Sequence, residues 1–254
     1  MKKLSCLLLV ALCTTTAFAW GPTGHRATGW IAEKYLSKKA KAAIKKILGD
    51  QSLAIASTWM DEVRSDSLYD HMVDWHWVTI PFGETYEQSV KNPKGDIIAT
   101  IERIISELKT RKLSAEKERE NIRILVHLIG DIHQPLHVGG KNDKGGNDVK
   151  VNWFRSESNL HRVWDSDMID DTKLSYTELA QSLDKPSDSE MKMWQKATVR
   201  DWAKESQSYE KQVYDIGNGN LGYRYTYLNW HIVRYRLLQA GVRLAGVLNE
   251  VYGK

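Results

Sequence analysis

Cysteine is nearly missing from this 254-residue chain: the two present, Cys6 and Cys13, both stand close to its start. No apolar run reaches the roughly 18 residues that a transmembrane helix needs. Charge of one sign is not in excess either, with 36 lysines and arginines against 32 aspartates and glutamates. The first scarcity becomes complete once the leader is recognised. Lys2 and Lys3 form a short positive start, Leu4 to Leu12 is mostly apolar, and Ala17-Phe18-Ala19 is an A-x-A cleavage site. These features predict a secretory signal over 1–19 and a single domain over 20–254, secreted or periplasmic after cleavage between Ala19 and Trp20. Both cysteines leave with the signal, which excludes disulfides and thiolate-built metal sites. Losing Lys2 and Lys3 lowers the basic count from 36 to 34 against 32 acidic residues, too even a balance for a broad platform on duplex DNA. No internal repeat, low-complexity tract or domain boundary interrupts the rest.

What remains reads as mostly helical. Pro22 suits the first turn of a helix in which Ala27, Trp30, Ile31 and Tyr35 recur at helical spacing. Ile97, Ile101, Ile104, Ile105 and Leu108 make a second apolar face. Ser114 is placed to cap a helix that runs toward Gln134 and stops near Pro135. Leu228, Ile232, Tyr235, Val242, Ala245 and Leu248 predict one long final helix. The glycine-rich segment from Val138 to Asp148 reads as a surface loop, and Val149 to Phe154 alternates like a short strand, half of a small hairpin.

The chemistry concentrates in histidine and aspartate. His127-x-x-x-Asp131 lies in an otherwise apolar helix, and residues four apart share one helical face. An aspartate buried there is costly unless it is paired or coordinated. His161-x-x-x-Asp165 repeats the spacing, and His137 follows Pro135 where the chain leaves the helix. One such pair is more often an ordinary helix-surface pair. Two pairs with a nearby imidazole, and no cysteine, suit zinc that keeps a position open for water or substrate.

Six motifs in order then carry a family resemblance over essentially the whole chain after the signal. They are Trp20-Gly-Pro-Thr-Gly-His25, Trp59-Met-Asp61-Glu-Val-Arg64, Trp75-His76-Trp77-Val78, His127-Leu-Ile-Gly-Asp131-Ile-His-Gln-Pro-Leu-His137, Gly145-Gly146-Asn147 and Asn159-Leu-His161-Arg-Val-Trp-Asp165. The sequence resembles the trinuclear-zinc, single-strand-specific nucleases of fungi, plants and bacteria, whose fold is related to the zinc-dependent bacterial phospholipases C. The resemblance implies an all-α, compact multi-helix single domain with a small β-hairpin near residues 147 to 154. It also implies three zinc ions. Asp61, His76, His127 and Asp131 would hold one, and the α-amine and carbonyl of Trp20 with His25 and Asp131 a second. His137, His161 and Asp165 would hold the third. A free α-amine titrates near neutrality, so it can serve as a nitrogen ligand where a peptide nitrogen cannot.

The same resemblance implies hydrolysis of single-stranded DNA and RNA to 5′-phosphate products, with 3′-nucleotidase activity. A hydroxide shared by two bridged zinc ions would attack phosphorus in line, with Asp61 and Asp131 among the catalytic ligands, while the third ion stabilises the leaving 3′-oxygen. Arg64 would add positive charge at the phosphate; from spacing alone it could equally pair with Glu62 or Asp66. Trp77 stands where the family implies an aromatic face for base stacking, against a packing role as the plain alternative. Asn147 would orient substrate or support the zinc ligands. Thr79 replaces the aspartate expected to read a base edge, so base preference does not carry over. His133 is expected to pack or support, and His71 and His231 to be structural or surface groups. The rival enzyme is a zinc phospholipase C. Against it stand the five-residue step from Trp20 to His25 and an aspartate, not a glutamate, as last ligand. A non-catalytic zinc- or nucleic-acid-binding protein would keep the ligands but lose the substrate-presenting group, whereas Arg64 and Asn147 are both in place.

Overall fold

The computed structural model describes residues 20–253, and the predicted signal segment, with its cleavage site, lies outside the described residues. Pro22 opens the first helix, Pro22–Tyr35, where its missing N–H costs nothing because the first turn has no intrahelical acceptor. The final helix, Tyr223–Tyr252, runs for 30 residues and packs along that first helix. The Ile97–Lys109 helix turns Ile97, Ile98, Ile101, Ile104 and Leu108 inward, and Asp96 caps it by accepting from the Ala99 N–H at 2.9 Å. Ser114 caps the Ala115–Asp131 helix, and Glu116 and Glu118 place negative charge against the positive end of its dipole. Its second half is buried on every side from Ile124 to Asp131. The helix ends at Asp131, three residues before the expected stop, and a short 3-10 turn, Pro135–His137, takes over.

Strands are few and short. Lys150–Trp153 and Ser156–Asn159 form an antiparallel hairpin, joined on the other side by Asn220–Leu221 in parallel. The expected hairpin near 147 to 154 is therefore displaced to 150–159 and belongs to a three-stranded sheet. A second correction concerns Val138 and Gly139. They are buried, not on a surface loop, because Val138–Gly139 pairs in parallel with Val78–Thr79 in the register Val78↔Val138 and Thr79↔Gly139. That pairing sets His76 and Trp77 beside His137.

The apolar core falls into two regions. One gathers Ile97, Ile101, Ile104, Leu125, Leu128 and Ile129; the other gathers Trp20, Leu136, Leu160, Trp164, Ile232 and Val233. The segment from 127 to 137 spans both, so residues at its two ends are held by separate blocks of packing. A polar network anchors its middle. Glu205 accepts from Arg236 Nη1 at 2.8 Å and from Arg243 Nη1 and Nη2 at 2.7 and 2.8 Å. Arg236 Nε donates to the His133 carbonyl at 3.1 Å, and Arg243 Nη1 donates to His133 Nε2 at 2.9 Å. Burial, with Arg236 and Arg243 beside it, holds His133 well below the usual imidazole range, so the ring is neutral and donates from Nδ1 to the Ile129 carbonyl. His133 is thus a packing and anchoring residue. His71 and His231 are exposed. No helix among the described residues is long and apolar enough to cross a membrane.

Candidate metal centre and cleft

Residues from six segments converge below one cleft. The first helix contributes His25, the Trp59–Glu62 turn Asp61, and the Ser67–His76 3-10 segment His76; the Ala115–Asp131 helix contributes His127 and Asp131. His137 comes from the turn after that helix, and His161 and Asp165 from a short helix that widens into a π turn at Val163–Asp167. Among the described residues these eight side chains make three groups, each with one ligand atom per residue, all within 4.8 Å of one another: His25, His127 and Asp131; Asp61, His76 and His127; His137, His161 and Asp165. Asp131 lies at the centre. Its Oδ1 is 3.2 Å from His25 Nε2, and its Oδ2 is 3.0 Å from His76 Nδ1 and 3.3 Å from His127 Nε2. In the third group Asp165 stands 2.9 Å from His161 Nε2 and 3.6 Å from His137 Nε2. Trp20, the ninth expected ligand, is fully buried, and the N–H of Gly21 donates to the Asp165 carbonyl at 2.7 Å. The start of the domain is therefore tied to the third group.

Backbone carbonyls set the imidazoles. His127 Nδ1 donates to the Ser57 carbonyl at 2.7 Å, His137 Nδ1 to His76 at 2.7 Å, and His161 Nδ1 to Gly145 at 2.6 Å. Each bond fixes the tautomer and turns the Nε2 lone pair into the centre, as in metal-ligating histidines generally. Gly145 can do this only as glycine: its φ is +62°, and a Cβ there would lie 2.2 Å from the Leu136 carbonyl oxygen. Gln134 is a residue that sequence reasoning passed over. Its Nε2 donates to Asp165 Oδ1 at 2.6 Å while its Oε1 accepts from the Leu136 N–H, so it fixes the carboxylate. Its place inside the Gln-Pro-Leu-His run was the only signal available.

The charges in this centre are unbalanced by the protein alone. His25 Nδ1 and both oxygens of Asp61 are buried without a hydrogen-bond partner, and the close His25–Asp131, His137–Asp165 and His161–Asp165 contacts lack hydrogen-bond geometry. Burial disfavours an ionised Asp131, yet His127 and His137 outweigh it and hold the carboxyl well below its usual range. Burial likewise lowers His127, but Asp131 and Asp61 push it up to about 9. His137 is raised to about 9 against burial by Asp131 and Asp165. His25 and His76 are lowered, first by burial. A positive charge close to these carboxylates is what the arrangement favours.

Above the centre opens a cleft of about 400 Å³, lined by His76, His137 and His161 and by Arg64, Trp77, Thr79 and Asn147. Arg64 Nη1 stands 3.5 Å from Asp61 Oδ1. Of the two carboxylates its spacing suggested, Glu62 accepts from Thr58 Oγ1 and Asp66 accepts from the Leu68 N–H. Trp77 is 38% exposed at the cleft wall, not in the core, and Thr79 is exposed beside it. Asn147 donates to the Lys144 carbonyl at 2.8 Å, which ties it into the glycine-rich loop. Lys141, Lys144 and Lys150, which drew no attention in the sequence, line the same cleft.

Buried imidazoles and carboxylates without thiolates, opening to a cleft with basic and aromatic walls, are the donor set of a hydrolytic metal centre rather than of a closed structural one. The comparisons define the family. A family model described as S1/P1 Nuclease matches residues 20–253. The chain is 31% identical over 280 residues to Endonuclease 3 of Arabidopsis thaliana, covering 97% of this chain and 93% of the relative. It is 30% identical over 274 residues to Endonuclease 5 of the same plant, covering 93% and 91%. It is 31% identical over 157 residues to Nuclease P1 of Penicillium citrinum, covering 59% and 58%. The chain belongs to the S1/P1 nuclease family, and it is a nuclease, a hydrolase of phosphodiester bonds.

Proposed function

We propose that the protein is a zinc-dependent endonuclease that hydrolyses single-stranded DNA and RNA to 5′-phosphate products. A 3′-nucleotidase activity from the same centre, and export after cleavage between Ala19 and Trp20, belong to this reading. The observation that carries it is the set of buried histidine and aspartate donor atoms, brought together in three groups beneath an open cleft. Unpaired buried carboxylate and imidazole atoms are expensive unless a cation takes them up, and His with Asp donors suits zinc.

Three zinc ions fit the donors. Asp61, His76, His127 and Asp131 would hold the first, Trp20 through its α-amine and carbonyl with His25 and Asp131 the second, and His137, His161 and Asp165 the third. Bound zinc supplies Lewis acidity toward a phosphoryl oxygen and lowers the pKa of water toward neutrality. The chain's own residues do the rest. Asp131, facing His25, His76 and His127 at once, holds the first two sites together. Asp61 orients Arg64, whose guanidinium reaches the cleft and steadies the charge that grows on the phosphoryl oxygens. Trp77 offers an indole face at the cleft wall, which a base can cover only after leaving its stack, and this favours single strands. Asn147 and Thr79 offer polar groups to the sugar-phosphate and base edge.

The test uses zinc-loaded protein beginning at Trp20, incubated with single-stranded RNA, single-stranded DNA, duplex DNA and phosphatidylcholine, with and without chelator. Chelator-sensitive release of 5′-mononucleotides from the single strands is expected. Cleavage of phosphatidylcholine alone would overturn the substrate assignment and favour the phospholipase reading of the same centre.

A further inference from the structure

The glycine-rich loop that supplies Gly145 to His161 is itself held in place, and it carries two cations to the cleft. Gly140 N–H donates to Glu210 Oε1 at 3.2 Å, and Tyr214 Oη donates to Asp143 Oδ2 at 2.7 Å. Asp143 Oδ1 in turn accepts from the Gly146 N–H at 2.9 Å. The loop is thereby fastened at 140, 143 and 146, close to its start, middle and end. Three lysines project from this fastened segment and its flank into the cleft: Lys141, Lys144 and Lys150.

They are not equivalent. Lys144 Nζ is paired with Asp148 at 3.2 Å, so its charge is largely spent locally. Lys141 and Lys150 make no ion pair with any carboxylate among the described residues. Lys141 Nζ stands 3.6 Å above the Tyr214 ring, a cation–π contact that restrains the ammonium while leaving its charge available. Lys150 opens the Lys150–Trp153 strand, whose alternation leaves Lys150 and Asn152 exposed while Val151 and Trp153 are buried. A cation restrained as Lys141 is loses less entropy on binding than a free surface lysine does.

Beside the floor formed by His76, His137 and His161, the cleft lining offers two kinds of group: the aromatic side of Trp77 with Thr79, and the ammonium groups of Lys141 and Lys150. A mononucleotide needs only the floor and the aromatic side. A continuous strand carries one further negative charge at every nucleotide, and these need partners outside the centre.

We propose that Lys141 and Lys150 are strand-specificity residues that take the phosphates neighbouring the reacting one. They make the enzyme favour a polynucleotide over a single nucleotide or dinucleotide. This rests on the reading of the centre as a phosphodiesterase site and adds to it the length dependence of the substrate. Being charge contacts, they discriminate by strand length and not by base.

The test measures binding of fluorescent single-stranded DNA to zinc-loaded wild type and to Lys141→Ala, Lys150→Ala and the double variant. The probes are an octanucleotide and a dinucleotide, both with phosphorothioate linkages, which keep the charge and slow hydrolysis. The double variant is expected to lose affinity for the octanucleotide on the order of 5- to 10-fold more than for the dinucleotide. Its log–log dependence of affinity on salt should become shallower by about 0.7 for each lysine removed. Equal losses on both probes, or an unchanged salt slope, would overturn the proposal. Cleavage of the ordinary octanucleotide by wild type is followed alongside. Its failure would count against the phosphodiesterase reading, while the binding slopes would still decide the role of the lysines.

Discussion

A Cβ placed on Gly130 would stand 2.9 Å from His25 Nδ1. Gly130 precedes Asp131 on its helix, and the bare backbone there is what lets the first helix bring His25 against the carboxylate. The ring also stacks on His127 at 3.9 Å between centroids, which restricts where it can move. Gly130→Ala is therefore expected to leave the helix intact, alanine being the better helix former, while it pushes His25 off Asp131. Losses of 10- to 100-fold in metal affinity or activity are typical for displaced ligand geometry. Elemental analysis should find the zinc deficit, and circular dichroism an unchanged helix content. Full zinc content with full activity would refute the steric argument.

Much of this centre was legible in the sequence because four of its histidines and aspartates come in pairs within one element. His127 with Asp131, and His161 with Asp165, share a face by spacing alone. What fixes those rings was not legible. Ser57, Gly145 and His76 contribute carbonyl oxygens, which every residue has and no pattern reveals. Arg64 shows the limit from the other side: spacing pointed to Glu62 or Asp66, and the three-dimensional structure adds Asp61, 3.5 Å from its guanidinium. Long helices announced themselves by periodicity. Two-residue strands such as Val78–Thr79 and Asn220–Leu221 have no period to read, so the pairing that brings His76 to His137 emerged only in three dimensions.

The two central carboxylates should differ in consequence. Asp131 faces three imidazoles from three segments, whereas Asp165 faces only His137 and His161. Asp131→Asn is expected to lower bound zinc by more than one ion, and Asp165→Asn by about one. Equal zinc losses for the two variants would count against Asp131 joining two sites.

Removing the metal should expose a pH dependence whose sign follows from the histidines. Without metal, His127 and His137 sit at about 9 against an ordinary 6.5. Raised values stabilise the fold while the rings are protonated: the contribution is full below 6.5 and disappears as pH rises through about 9. His25 and His76 are lowered instead, so they penalise the fold below 6.5 and cease to matter above it. The chelated protein should accordingly be most stable near pH 6.5 and melt at lower temperature by pH 9. In the zinc-loaded protein the ligands are already deprotonated, and binding grows stronger as pH rises. The gap in Tm between loaded and chelated protein should widen across that window; a constant gap would contradict the coupling.

Trp20 gives the N-terminal prediction. The residue is wholly buried, and Gly21 is bonded to the Asp165 backbone, so the start of the domain cannot drift from the centre. On the proposed assignment, a protein carrying one additional residue before Trp20 has a peptide nitrogen in place of the ligating α-amine, and it should lose one zinc and most of its activity. An N-terminally extended protein with full zinc and full turnover would exclude the α-amine as a ligand.

Trp77 carries the last prediction, which separates stacking from packing. Its side is open to the cleft, and no buried apolar cluster includes it. Truncation to alanine should therefore cost little stability. Stacking of a base on an aromatic face contributes about 1–3 kcal/mol, so Trp77→Ala should raise KM for a single-stranded oligonucleotide by about 5- to 150-fold. Trp77→Phe keeps a face and should recover most of that loss. Steady-state kinetics on the three proteins, with melting curves beside them, make the comparison. A Trp77→Ala protein that melts early with an unchanged KM would assign the indole to the scaffold and leave single-strand preference to the cleft's remaining walls.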